Sequence, residues 1–464
     1  MLPVVALVGR PNVGKSTLFN VLTRTRDALV HDLPGLTRDR HYGICRLGAR
    51  EFVVVDTGGL TGEKEGIGML TARQVQLAIE EADRIVFVVD ARDGLLPQDR
   101  DIVEALRRSG KPLVLAVNKI DGVEESAAMA EFSTMGFSAQ LALSAANGRG
   151  VPKLVEELLL GLPEADPDAL AESPDDGIRV AIIGRPNVGK STLVNRLLGE
   201  ERVVVSEIAG TTRDSIRVPL LRDGKRYTLI DTAGVRRRAR VEEAVEKFSV
   251  IKTLQSIAAA NVVVLILDAH DGVSEQDATL IGYVLEEGRA LVLAANKWDG
   301  LSKYDREQCK SSLARKLDFV AFARSVTISA LHGSGIAELM KAINRAHASA
   351  TREFGTAELT RAVEQAYENY QPPLVRGHAP KLKFAHPGGS NPPTIVIHGS
   401  HTKHIADGYR RYLENFFRKR FKLEGTPVRI EFRESENPFA GRKNELTEGQ
   451  LKKRKRLIKH VRKR

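Results

Sequence analysis

The 464-residue sequence predicts an α/β chain: two domains of mostly parallel sheet with helices on both faces, in tandem, followed by a small α+β domain. Three observations carry that expectation. The segment GRPNVGKST occurs twice, at residues 9–17 and 184–192. Each copy stands between a short apolar run and a helix-forming stretch, and the Val/Ile/Leu-rich runs that follow alternate with helical patterns. After about residue 350 the repeat stops, and no third copy of the segment occurs.

The repeated segment reads as a phosphate-binding P-loop. Its first copy is Gly9, Arg10, Pro11, Asn12, Val13, Gly14, Lys15, Ser16 and Thr17; its second is Gly184, Arg185, Pro186, Asn187, Val188, Gly189, Lys190, Ser191 and Thr192. The glycines let backbone N–H groups turn inward around phosphates, and the helix N-terminus that follows adds partial positive charge. Lys15 and Lys190 are placed to reach the β- and γ-phosphates, and Ser16 and Ser191 to hold Mg²⁺. The context matches: residues 4–8 and 180–183 are the apolar runs before the loops, and residues 17–23 and 192–198 are the helical stretches after them.

Next in order come the segments that would sense the γ-phosphate. Gly35-Leu36-Thr37-Arg38-Asp39 parallels Gly210-Thr211-Thr212-Arg213-Asp214, with Thr37 and Thr212 placed to complete the Mg²⁺ site. Asp56-Thr57-Gly58-Gly59 and Asp231-Thr232-Ala233-Gly234 each follow a strand pattern. Their Asp can hold the Mg²⁺ shell, and the amides of Gly59 and Gly234 can meet the γ-phosphate. The base is read further on. Asn118-Lys119-Ile120-Asp121 and Asn296-Lys297-Trp298-Asp299 each close an apolar run. A carboxylate accepts two hydrogen bonds, which suits guanine's ring N–H and amine; adenine would set an acceptor against it. Ser144-Ala145-Ala146 and Ser329-Ala330-Leu331 then close each unit where a backbone amide could face the guanine oxygen. The offset between copies is 175 at the P-loops, 178 at the Asn-Lys motifs and 185 at the Ser-Ala motifs, as small loop insertions would produce.

The remaining segments set the boundaries. The first domain is expected over 1–165 and the second over 178–350. Residues 166–177 belong to an acidic linker, since residues 162–177 hold six carboxylates, three prolines and no Lys or Arg. The third domain is expected over 351–440, with helices over 356–370 and 403–420 and strands over 381–385, 394–398 and 428–432. Its second helix mixes Tyr409, Tyr412, Phe416, Phe417 and Phe421 with Arg and Lys, which reads either as a buried aromatic face or as a nucleic-acid surface. Residues 1–350 sum to about −2, residues 351–440 to +4 and residues 441–464 to +9; nine of the last 14 residues are Lys or Arg. Such a tail is a footprint for a polyanion or a solubility device. The two cysteines, Cys45 and Cys309, fall in different repeats, which argues against a disulfide framework and for a reducing cytoplasm. No apolar run is long enough to span a membrane, and residues 2–8 read as a first strand rather than a leader.

Two GRPNVGKST-type units in tandem, an acidic linker and a small C-terminal α+β domain resemble the Der (EngA) family of bacterial tandem-domain GTPases. The resemblance covers about residues 1–440. It implies a GTP hydrolase acting in assembly of the large ribosomal subunit, binding that subunit and its rRNA, with no membrane or DNA partner and as a monomer. It also implies a KH-like third domain, although residues 351–440 contain no GxxG clamp. An RNA-binding scaffold in which one nucleotide site does not turn over remains open. Many GTPases place a water-orienting Gln after the Asp-x-x-Gly motif; here Leu60 and Val235 stand there and can position nothing. Related GTPases hold K⁺ with a P-loop Asn, so the resemblance assigns K⁺ to Asn12 and Asn187. Arg10 and Arg185 read either as internal arginine fingers or as solvent-facing loop residues. The expected catalytic set is Asn12, Lys15, Thr37 and Gly59 with Asn187, Lys190, Thr212 and Gly234.

Overall fold

In the first repeat β1 (Val4–Val8) runs through the P-loop into α1 (Lys15–Thr23). Then come β2 (Tyr42–Cys45), β3 (Phe52–Asp56), β4 (Arg84–Asp90), α2 (Pro97–Arg108), β5 (Leu113–Asn118), α3 (Glu125–Ser133), β6 (Gln140–Ala142) and α4 (Val151–Leu160). The computed structural model describes residues 2–23, 42–58, 76, 78–160, 162, 177–199, 217–230, 250–374, 379–402 and 405–434. The strands form one sheet in the order β2-β3-β1-β4-β5-β6. Only β2 and β3 pair antiparallel; the other neighbours are parallel.

β1, β3 and β4 are buried along their whole length, as continuous apolar runs in a doubly covered sheet should be. Alternation divides them between two layers. Val4, Ala6, Val53 and Phe87 pack with Val103 and Leu106 of α2 and Phe132 of α3. Val5, Leu7, Val54 and Val86 pack with Leu18 and Leu22 of α1 and Leu154 and Leu158 of α4.

The second repeat follows the same plan. It contains β7 (Ile178–Ile183), α5 (Lys190–Gly199), β8 (Arg217–Arg222), β9 (Lys225–Ile230), α6 (Val250–Ala259) and β10 (Val262–Asp268). It continues with α7 (Glu275–Glu287), β11 (Ala290–Asn296), α8 (Lys303–Lys316), β12 (Arg324–Thr327) and α9 (Ile336–Ala350). Its sheet order is β12-β11-β10-β7-β9-β8, again with a single antiparallel pair, β8 with β9.

Beyond α9 lie α10 (Thr356–Asn369), β13 (Lys381–Gly389), β14 (Thr394–Ser400), α11 (Asp407–Phe421) and β15 (Arg429–Glu434). They form a three-stranded sheet in the order β13-β14-β15, backed by the two helices. Tyr409, Leu413, Phe417 and Phe421 recur every four residues and are all buried, so α11 presents its aromatic side to the core. Tyr409 and Tyr412 donate their hydroxyls to the carbonyls of Tyr370 and Ala366, both at 2.9 Å. Of the two readings of the basic aromatic stretch, the structure supports the buried face: Tyr409, Phe417 and Phe421 are core, Tyr412 and Phe416 pack half-buried against it, and Lys419 and Arg420 remain exposed.

Candidate nucleotide-binding sites

β1 lies between β3 and β4, and β7 between β9 and β10, so each P-loop leaves the middle of its sheet at the strand C-terminal end. The loop glycines are required by close approach. A Cβ at Gly9 would stand 2.2 Å from the Val88 carbonyl oxygen, and at Gly14 2.3 Å from Asn118 Nδ2. At Gly184 and Gly189 it would meet Ile266 O at 2.6 Å and Asn296 Nδ2 at 2.2 Å. Asn12 and Asn187 hold left-handed backbone, φ 65° and 64°.

Asn118 and Asn296 are struts. Asn118 Nδ2 donates to the Val13 carbonyl at 2.8 Å, and its Oδ1 accepts the Ala145 amide at 3.0 Å. Asn296 repeats this with Val188 at 2.8 Å and Ala330 at 2.9 Å. Each thereby ties its phosphate loop to its Ser-Ala motif. The neighbouring lysines differ between copies. Lys119 Nζ donates to the Asn12 carbonyl at 2.7 Å and pairs with Asp90 at 2.6 Å; Lys297 pairs with Asp268 at 2.6 Å.

Asp121 accepts from the Ser144 hydroxyl and from Asn147 Nδ2 at 3.1 Å. The Ser144 bond chiefly holds its carboxyl below the ordinary aspartate value, and the Ser329 bond does the same for Asp299. Both carboxylates are therefore kept as acceptors. Where the first site has Asn147, the second has His332, whose Nε2 lies 3.1 Å from Asp299.

At the phosphate end, Ser16 Oγ donates to Asp56 Oδ2 at 2.6 Å, and the Gly58 amide donates to Asp56 Oδ1 at 2.9 Å. A hydroxyl and a carboxylate oxygen so placed suit a hard cation such as Mg²⁺. Lys15 Nζ donates to the carbonyls of Gly9 at 2.8 Å and Arg10 at 2.6 Å. Burial pulls its ammonium below the ordinary lysine value. Lys190 Nζ donates to the Arg185 carbonyl at 2.7 Å. Pro11 and Pro186 stand exposed on the loops and Thr17 and Thr192 on the first turns of α1 and α5, and Thr57 Oγ1 donates to the Leu7 carbonyl at 2.6 Å.

Both readings of the P-loop arginines are corrected. Arg10 is only 8% exposed, and its Nε donates to the fully buried Asp99 at 2.8 Å. Arg185 pairs with the equally buried Asp277 at 3.1 Å. Arg10 is buried and Arg185 half-buried, and each guanidinium is committed to a carboxylate. Thr37, Gly59, Leu60, Thr212, Asp231, Thr232, Ala233, Gly234 and Val235 lie outside the described residues, as do residues 163–176 and 435–464. The sequence reading missed Asp90, Asp268, Asn147, His332, Asp99 and Asp277. For the four aspartates a signal was available, since the two copies of each stand 178 residues apart, the offset of the Asn-Lys motifs; Asn147 and His332 hold matching positions but differ in type. Among the described residues no helix is long and apolar enough to cross a membrane, and no group of three His, Cys, Asp or Glu is gathered for a metal.

Comparison with known proteins agrees with this geometry. The model of a 50S ribosome-binding GTPase matches residues 4–119 and again 179–297. The model for the C-terminal KH-domain-like region of EngA bacterial GTPase enzymes matches residues 354–433. A GTPase Der from Xanthomonas campestris pv. campestris is 59% identical over 462 residues, 99% of each chain. One from Stenotrophomonas maltophilia is 58% identical over the same length and coverage. The chain belongs to the Der family of GTPases. As a Der-family protein it is a GTP-hydrolysing enzyme with two GTPase domains and a KH-like third domain. A crystal structure of Aquifex aeolicus Era bound to GDP·AlF4⁻ is 22% identical, covering 55% of this chain and 92% of that one with a TM-score of 0.28.

Proposed function

We propose that the chain hydrolyses GTP at both sites and acts as a nucleotide-dependent switch in assembly of the large ribosomal subunit. In this reading it works in the cytoplasm as a monomer and binds the subunit and its rRNA. The observation that carries it is the duplication of the strut, the buried arginine pair and the ionised base-reading carboxylate in two domains, each matched by a ribosome-binding GTPase model.

The chemistry follows from the residues. Lys15 and Lys190 turn N–H donors to β- and γ-phosphate oxygens while keeping the Arg10 and Arg185 carbonyls, since an ammonium has three donors, and Asp121 and Asp299 accept guanine's N–H and amine. Ser16, Thr37 and Asp56, and Ser191, Thr212 and Asp231, would hold Mg²⁺, which would supply positive charge against those phosphates. Gly59 and Gly234 offer amides to the γ-phosphate. Leu60 and Val235 cannot orient water, so we assign the missing electrostatic help to K⁺ beside Asn12 and Asn187. Both asparagines are exposed on left-handed backbone, free to turn toward such an ion.

Sedimentation with ribosomal subunits under GDP, GTP and a non-hydrolysable analogue tests the switch; the large subunit should be bound in one nucleotide state, and no association in any state would end this reading. Turnover compared in KCl and NaCl tests the ion. Equal rates, with Asn12→Ala and Asn187→Ala both silent, would exclude it. Single-turnover assays on Lys15→Ala and Lys190→Ala should each lose one site; an unchanged rate from either would favour a scaffold with one structural site.

A further inference from the structure

A second segment is repeated besides the P-loop. Asp93-Gly94 and Gln98-Asp99 stand at the start of α2, and Asp271-Gly272 and Gln276-Asp277 at the start of α7, 178 residues on. The last Asp of each is wholly buried. Asp99 takes Arg10 Nε at 2.8 Å, and Asp277 takes Arg185 Nε at 3.1 Å. The guanidinium tips point to the first Asp of each segment, 3.6 Å from Asp93 and 3.4 Å from Asp271. The same arginines hold the P-loop lysines from the other side, through their carbonyls, at 2.6 and 2.7 Å. A continuous link therefore runs from a buried carboxylate through one arginine to the amine that meets the phosphates.

Helix capping alone does not account for this carboxylate. In α2 the cap residue Leu96 has no side-chain acceptor, and Asp99 Oδ2 takes the Leu96 amide at 3.1 Å. In α7 Asp277 Oδ2 likewise takes the amide of the cap residue Ser274 at 3.0 Å, and the Ser274 hydroxyl accepts the Asp277 amide at 3.2 Å. Capping occupies Oδ2 in both helices, whereas Oδ1 accepts from the arginine Nε, at 2.8 Å in Asp99 and 3.3 Å in Asp277. Each carboxylate is wholly buried, so leaving its charge without the arginine would be costly, and the arginine peptide has little freedom to shift.

We propose that Asp99 and Asp277 are positioning residues of the two GTPase sites, each fixing its P-loop lysine through the arginine. Asp99→Asn keeps the size of the side chain and an acceptor for the Leu96 amide but removes the charge facing Arg10. The guanine contacts come from another strand end and are untouched.

The test uses the full chain with one site silenced: Asp99→Asn in a Lys190→Ala background, and Asp277→Asn in a Lys15→Ala background. Expected is a fall in kcat of about tenfold, with KM for GTP and the affinity for a fluorescent GDP analogue changed by less than about threefold. Arg10→Gln combined with Asp99→Asn should be no slower than either change alone, because both break one link. A kcat within about twofold of the background, a parallel loss of GDP affinity, or additive effects in the double variant would each overturn the proposal. Should Asp99→Asn alone not fold, the neutral pair Arg10→Gln/Asp99→Asn carries the same test with the same expected and overturning results. A background variant that is itself silent counts against turnover at both sites, not against this link, which is then read at the site that still turns over.

Discussion

Within each site, two neighbouring side chains in one short motif do different work. Asp121 is held ionised and faces outward as an acceptor, while Asn118 is 2% exposed and spends both polar atoms inside the protein. Asp121→Asn should therefore exchange ligands. Guanine loses charge-assisted bonds worth about 1.5–3 kcal/mol, or roughly tenfold or more in affinity; xanthine, with an oxygen in place of the amine, gains a donor. Asp299→Asn should do the same at the second site. Asn118→Ala should not exchange anything, because it strands the Val13 carbonyl and the Ala145 amide, at about 1–3 kcal/mol each. Competition assays with guanosine and xanthosine diphosphates separate the two. Equal losses for both nucleotides are expected from Asn118→Ala and opposite changes from Asp121→Asn; guanine affinity unaltered in Asp121→Asn would refute the base-reading assignment. The motif's existence was legible because its chemistry is local. The strut was not: it joins residues 105 apart, and only the folded sheet brings them together. The Arg10–Asp99 pair, 89 apart, escaped for the same reason, and a loop arginine without its partner reads as solvent-facing.

Among the elements, strands and P-loop helices were readable because each rule acts within a few residues: apolar runs for doubly covered strands, glycine at close approaches, a helix opening on the loop. The expected helix over 403–420 is shifted, beginning at Asp407 after Ala406 and ending at Phe421. Its spacing told which side chains form a face but not what the charged ones meet. Glu414 shows the consequence. It sits between the aromatic face and Arg418, 3.9 Å away. Burial drives its carboxyl up to about 7, against the opposing pull of Arg418, Arg410 and Arg411. A carboxyl raised in the folded state binds its proton more tightly there than in the unfolded chain. Stability from this group is thus fully present below the unfolded value and is lost as pH rises through about 7. The loss is on the order of 3 kcal/mol. Protection of α11 from hydrogen exchange in the full chain should weaken as pH rises from about 4.5 to about 7, after correction for intrinsic rates, and Glu414→Gln should flatten that dependence. A wild-type profile flat over the interval would contradict the burial argument.

Across the whole molecule the second domain meets the first and the third through backbone as well as side chains. The first domain reaches the second through Arg46, which pairs with Glu287 at 2.5 Å, and through Gln255, which donates to the Leu2 carbonyl at 2.8 Å. The third domain joins the second at Gly425. Its carbonyl accepts the Leu291 amide at 2.6 Å, and its amide donates to the Phe322 carbonyl at 2.8 Å. Glu424 beside it lies 3.9 Å from Arg324 and 3.8 Å from Arg345, and the Arg418 guanidinium sits 4.6 Å from the Phe322 ring centre. Only glycine suits the joint: its φ is +72°, and a Cβ there would stand 2.7 Å from Ala346 Cβ and 3.3 Å from Leu291 O. Gly425→Ala therefore adds left-handed strain of about 1–3 kcal/mol and pushes the two domains apart. Leu291 lies at the start of β11, whereas the nucleotide strut Asn296 lies at its end. The variant should accordingly keep GTP turnover near the parent rate while the amides of Leu291 and Gly425 lose protection from hydrogen exchange. Unchanged protection would mean that this backbone joint does not hold the third domain, and lost turnover would mean that the second site depends on it.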